Sequence, residues 1–140
     1  AVDDDRFGTA STWFERACEL GSSTGCQNAG VAFEYGKDGH EKDYLKAGYY
    51  YRKAAERGYM QSQYNLGSLY ANQYLSGDVE GLKWLVLSQR NAEKCAEKQL
   101  CQWILNDPPG HVEVLKRRLT QTQIEAARQL AYRFPITDQD

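Results

Sequence analysis

Sliding the chain along itself by 37 residues lays Trp13-Phe14-Glu15-Arg16-Ala17-Cys18-Glu19-Leu20-Gly21 on Tyr50-Tyr51-Arg52-Lys53-Ala54-Ala55-Glu56-Arg57-Gly58. Ala17/Ala54, Glu19/Glu56 and Gly21/Gly58 are identities, and the register continues through Asn28/Asn65, Gly30/Gly67 and Phe33/Tyr70. Self-similarity at such a period marks stacked supersecondary units, none of which buries its apolar face alone. No strand-like alternation interrupts the pattern, so the units are helical.

Each unit reads as two helices joined by a tight turn. Gly21 and Gly58 follow amphipathic stretches, where a left-handed cap favours glycine. Tyr64, Leu66, Gly67 and Tyr70 recur at helical spacing in the second half. A glycine inside a helix costs roughly 1 kcal/mol against alanine; keeping one in both copies, Gly30 and Gly67, points to close approach of a neighbouring helix. Gly36, Gly39 and Ser76-Gly77-Asp78 supply loops, with Asp43 and Asp78 as expected N-caps. A third unit opens at Leu82-Lys83-Trp84-Leu85, with Trp84 in the place of Tyr50. From about Asn91 the register is lost, and extra helical sequence runs to the stop at Asp107-Pro108-Pro109-Gly110. A helix from about Val112 to Leu119 follows, and Thr120-x-x-Gln123 is a capping box for a last helix to about Arg133, closed by Pro135.

The expected architecture is therefore all-α: one domain over residues 1–140, a short α-solenoid of about three αα-hairpins. Repeat 1 covers about 9–42, repeat 2 about 43–77, and repeat 3 about 78–119 with an insert at 91–110; a capping helix covers about 120–134. A hydrophobic fraction of 41% with 26% charged residues fits a folded chain rather than a disordered tract. A formal charge of -2 argues against a generic nucleic-acid or anionic-membrane binder. The longest apolar run, Trp84-Leu85-Val86-Leu87, falls far short of the roughly 20 residues of a membrane span.

Four cysteines fall in two close pairs, Cys18 with Cys26 and Cys95 with Cys101. Neither spacing is that of a zinc knuckle or a C-x-x-C redox motif, and three pairings are open to four cysteines. Structural disulfides are the expectation, over a metal site or free buried thiols. They place the chain in an oxidising compartment, periplasmic or secreted. No signal peptide is present as written; Ala1-Val2 before Asp3-Asp4-Asp5 suits a mature N-terminus after cleavage, or an artificial start. The aspartate run lacks the glycine and distal glutamate of a calcium loop and reads as a solvated terminus.

The run Tyr50-Tyr51-Arg52-Lys53-Ala54-Ala55-Glu56-Arg57-Gly58 with Gln63-Tyr64-Asn65-Leu66-Gly67-Ser68-Leu69-Tyr70 resembles the signature of the Sel1-like repeat (SLR), an αα-hairpin akin to the tetratricopeptide repeat. Arg16-Ala17-Cys18-Glu19-Leu20 with Gly25-Cys26-Gln27-Asn28-Ala29-Gly30 resembles the cysteine-rich secreted branch, in which two cysteines at this spacing staple the hairpin. The resemblance thus implies a Cys18–Cys26 bridge. Closing that loop contributes roughly 2.5 kcal/mol in the chain-entropy picture. Leu119-Thr120-Gln121-Thr122-Gln123-Ile124-Glu125-Ala126-Ala127 is similar to the helix that closes many bacterial arrays of this type. The insert with Cys95 and Cys101 departs from the pattern.

The resemblance also brings in β-lactam binders and hydrolases of that branch. None of Ser11, Ser22, Ser23, Ser62, Ser68, Ser76 or Ser88 has a lysine three residues on, as the serine chemistry requires. His40 and His111 are expected to be solvated loop residues, and no catalytic group, metal or cofactor is assigned. Trp13, Phe14, Phe33, Tyr50, Tyr51, Tyr64, Tyr70 and Trp84 recur in register as inter-helix core, whereas Tyr44, Tyr49, Tyr59 and Tyr74 fall near unit boundaries. Exposed tyrosines suit a protein-binding surface. Arg16, Arg52 and Lys53 project toward the concave side of a stack that curves as the family does. Arg16, Tyr49, Arg52, Lys53 and Tyr74 are accordingly the partner-binding candidates. The expected partner is another protein. A small repeat protein of this kind resembles immunity proteins that neutralise secreted toxins, type VI secretion phospholipase effectors among them. A scaffold of a cell-envelope assembly is the alternative, and a β-lactam-binding enzyme a further one.

Serine at both Cys95 and Cys101 is expected to loosen residues 91–110 and leave the repeats folded. Hydrogen exchange accelerated only in that segment is the expected outcome; if the insert recognises the partner, calorimetry shows affinity falling more than the melting temperature. Equal losses reduce it to a brace.

Overall fold

The computed structural model describes residues 10–135; the Asp3-Asp4-Asp5 run lies outside them. Every regular element among the described residues is a helix: α1 (Ala10–Glu19), α2 (Ser23–Tyr35), α3 (Tyr44–Glu56), α4 (Met60–Ala71), α5 (Asp78–Ala92), a 3-10 turn (Glu93–Cys95), α6 (Gln99–Asn106), α7 (His111–Arg118) and α8 (Gln121–Tyr132). The protein is an all-α, short solenoid of helical hairpins. The pairs α1/α2 and α3/α4 are hairpins, α2 packs on α3, and α4 packs on α5. Helices α6, α7 and α8 each rest on α5, with α7 also reaching α4.

Local chemistry sets these boundaries. After α1, Gly21 (φ +106°) donates to the Cys18 carbonyl and Ser22 to that of Ala17; after α3, Gly58 (φ +92°) donates to Ala55 and Tyr59 to Ala54. The same turn is made twice, at positions 37 residues apart. Ser22 caps α2 by accepting from the Gly25 amide at 2.9 Å, and Asp43 caps α3 by accepting from Lys46 at 3.0 Å. Thr120 and Gln123 form the capping box of α8, each accepting from the other's amide.

Asp78 is not the N-cap of α5. Gly77 takes that place and offers no side-chain cap. The cause is spacing: Trp84 stands 34 residues after Tyr50, so the position equivalent to Asp43 is the glycine. Asp78 instead receives Arg118 of α7 through Nε at 3.1 Å and Nη2 at 3.0 Å. Arg118 also donates to the Ala71 and Tyr70 carbonyls, tying the end of α4 to the start of α5.

The core runs along the stack through two buried clusters. One holds Phe33, Tyr50, Tyr51, Leu66, Leu69, Tyr70 and Trp84, the other Met60, Tyr64, Leu82, Leu85, Ile104, Leu115, Ile124 and Ala127. Trp13 departs from the expected core set and is half exposed. Its equivalent Tyr50 stacks on Phe33 of the preceding hairpin at 5.7 Å between centroids, whereas no hairpin precedes α1 among the described residues.

The in-helix glycines are contact points between hairpins. A Cβ at Gly30 would enter the Tyr51 ring, and one at Gly67 would lie 2.5 Å from Leu85 Cγ. Leu85 stands where Tyr51 does, one place after Trp84 as Tyr51 follows Tyr50. Each second helix thus receives the next hairpin in a socket that glycine opens. Gly67→Ala is expected to lose about 1–3 kcal/mol by overpacking, against roughly 1 kcal/mol that helix propensity returns, for a net loss of up to about 2 kcal/mol. Chemical denaturation measures this; an unchanged or raised midpoint would show that Leu85 yields freely.

Candidate functional site

The first helices of the two hairpins, α1 and α3, share an outward face. Lys53 Nζ lies 5.1 Å over the Tyr49 ring and 3.7 Å from Glu19 Oε2 across the helix gap. Arg16 stands 5.4 Å over the Trp13 ring. Tyr49 is half exposed, edge-on to Tyr50 at 4.9 Å, and Leu45, one turn back, is 74% exposed. Helical spacing puts Leu45, Tyr49 and Lys53 in one row. Trp13, Arg16, Leu45, Tyr49 and Lys53 therefore combine accessible apolar surface with cations held over rings, an arrangement suited to protein contact.

The other two partner-binding candidates are engaged elsewhere. Arg52 donates through Nη2 to the Tyr70 hydroxyl at 2.6 Å. Tyr74 stacks on Tyr44 at 3.8 Å, beyond the end of α4. Structure thus brings Tyr49 and Lys53 together with α1 and commits Arg52 to α4.

Polar groups join the hairpins beneath this face. Glu15 of α1 accepts from the Tyr50 hydroxyl at 2.8 Å, and its other oxygen lies 2.8 Å from His40 Nε2. His40 is therefore not a solvated loop residue: it also stacks on Phe33 with centroids 4.0 Å apart. Tyr51 donates to Glu34 of α2 at 2.6 Å. Burial raises the Glu34 pKa, partly offset by that bond. Ser62 of α4 donates to Gln27 of α2 at 2.6 Å, and Asn91 of α5 donates to Gln63 at 2.9 Å. A stack of this kind is held in register by specific bonds as well as by area.

The cysteines pair as Cys18–Cys26, across the first turn, and Cys95–Cys101, between the 3-10 turn and α6. The second bridge shapes the segment outside the repeat pattern, but a different contact docks it. Tyr64 of α4 donates to Asp107 Oδ1 at 2.5 Å, and Asp107 Oδ2 accepts from the Val112 amide at 2.9 Å. Trp103 packs edge-on to the Tyr64 ring at 5.1 Å. His111 is likewise no loop residue. It opens α7, half-buried against Tyr64 at 5.8 Å, and burial lowers its pKa against the opposing pull of Asp107. Sequence reasoning took Asp107 only as part of a helix stop and missed this latch, which joins residues 43 apart.

Among the described residues, no three His, Cys, Asp or Glu side chains group as a metal site. No described helix is long and apolar enough to cross a membrane.

Residues 10–22, 23–59 and 61–85 match the Sel1 repeat, together more than half of the chain. The chain belongs to the Sel1 repeat family. A protective antigen present in uropathogenic Escherichia coli strains, whose crystal structure displays an SLR fold, is similar to it with a TM-score of 0.70 and 25% identity. That similarity covers 89% of this chain and 24% of the antigen, so the chain spans about a quarter of the antigen's length. No curated protein matches the chain. Sel1 repeats are typically protein-interaction modules. The two disulfides fit an oxidising, extracytoplasmic location.

The tyrosines of this Sel1 array carry a pH signature. Tyr50, Tyr51 and Tyr64 are pushed far up, first by burial and then by the carboxylates of Glu15, Glu34 and Asp107. Folded-state values above the unfolded value of about 10 mean that their contribution to stability is whole below that pH and is lost as pH rises past it. An ultraviolet absorbance titration is expected to show these three remaining protonated until helicity collapses. All ten tyrosines ionising together near pH ~10 with helicity intact would contradict the joints described.

Proposed function

We propose that the protein is a non-catalytic binding module of the bacterial periplasm. In its sharpest form it is an immunity protein that binds and neutralises a secreted toxin, such as a type VI secretion phospholipase effector. The observation that carries this is the α1–α3 face: Trp13, Arg16, Leu45, Tyr49 and Lys53 are presented on rigid helices, with two disulfides bracing the array at other points. Rigid aromatic anchors flanked by cations give large contact area at little entropic cost. An oxidised, compact array without assembled reactive groups needs only such a face to occlude a toxin.

A second interpretation rests on the antigen. That protein is about four times longer than the part this chain matches. A protein of that length with this fold suits a scaffold or adaptor of an envelope assembly, and the present chain offers a face of the same kind.

Affinity capture with the oxidised protein from its bacterial source separates the two. One secreted effector in stoichiometric complex is the expected result, with Tyr49→Ala and Lys53→Glu each weakening it by roughly tenfold or more. Recovery of several membrane-associated proteins favours the scaffold, and no partner at all removes the immunity role.

A further inference from the structure

Away from the α1–α3 face, α7 and α8 both rest on α5 and leave between them a cleft of about 240 Å³. Val86, Gln89, Arg90 and Glu93 form its floor, Val112 and Lys116 one wall, Arg128 and Tyr132 the other. Three cationic side chains thus face one carboxylate, in a chain whose formal charge is -2. The charge is local.

Arg90 is held in place without being neutralised. Its guanidinium stacks 4.5 Å from the Tyr132 centroid and donates to the Ala131 carbonyl at 3.3 Å. Arg128 is engaged by the Tyr132 hydroxyl and feels Glu125 on its own helix. Lys116 has Glu113 at 3.9 Å, an exposed pair worth little. Among the described residues no carboxylate forms an ion pair with Arg90 or Arg128. A fixed guanidinium with donors to spare favours a planar carboxylate. The cleft volume lies below the roughly 300–1,000 Å³ of small-molecule sites, and its walls set Val112 and the Tyr132 ring beside Lys116 and Arg128.

We propose that this cleft receives an acidic side chain from an extended segment of a protein partner, the carboxylate meeting Arg90 and Arg128 and the methylenes lying on Val86, Val112 and Tyr132. The inference rests on the protein-binding function above and adds a second contact, with its chemistry, at the opposite end of the stack from Trp13. Acidic segments engaged there gain from long-range attraction and weaken as salt rises.

The test uses the full oxidised chain and a blocked peptide, Glu-Gly-Glu-Gly-Glu, with its glutamine counterpart as control. Amide shifts in nuclear magnetic resonance are expected at α5, α7 and α8, with affinity falling roughly tenfold for the glutamine peptide and for Arg90→Gln. Arg128→Gln, on an exposed side chain, is the second variant should Arg90→Gln perturb folding. Shifts confined to α1 and α3, equal binding of both peptides, or no binding at all overturn the proposal, as do phosphatidylglycerol vesicles or inorganic phosphate binding the cleft more tightly than the peptide. A captured partner lost with Tyr49→Ala and Lys53→Glu but unaffected by Arg90→Gln and Arg128→Gln refutes the cleft and leaves the protein-binding function standing.

Discussion

Everything in this molecule depends on how closely one hairpin lets the next approach. Gly30 and Gly67 remove the Cβ atoms that would meet Tyr51 and Leu85, so a large side chain of each first helix sits directly against the backbone of the preceding second helix. In a solenoid a unit touches only its neighbours, and a distortion at one joint is not repaired by contacts further along. The glycine that weakens its own helix is the residue that makes the joint close.

Polar bonds then fix the rotation of the first joint, and Asn91 to Gln63 crosses the second. Tyr50 to Glu15, Tyr51 to Glu34 and Ser62 to Gln27 all cross between hairpins, and all are shielded enough for geometry to matter. An apolar interface alone tolerates sliding; a buried hydroxyl facing a carboxylate does not, because a slipped register strands both groups. Titratable side chains are consequently spent on internal alignment. The outward row of α1 and α3 carries Lys53 over the Tyr49 ring and Arg16 over that of Trp13, outside these joints.

The hairpins, their turns and the C-terminal capping box were legible because each rests on contacts a few residues apart or on a repeated spacing. The failures have equally definite causes. Asp78 was displaced from its N-cap role by the change from a 37- to a 34-residue interval, which puts Gly77 at that position. His40 finds Glu15 across 25 residues, and Asp107 finds Tyr64 across 43, separations over which no local pattern speaks. Lys53 was expected on an open face from the family's curvature and Tyr49 from its place near a unit boundary, and the structure sets the Lys53 ammonium over the Tyr49 ring. Arg52, beside them in sequence, turns to Tyr70 and shows that one position along a helix decides between surface and joint.

The two disulfides span only eight and six residues, each closing on its own turn. No covalent bond crosses from one hairpin to the next in either bridge. Oxidation therefore hardens the turn of the first hairpin and the segment leading into α6, while the α3/α4 hairpin and the glycine-lined joints are held by packing and hydrogen bonds without covalent reinforcement.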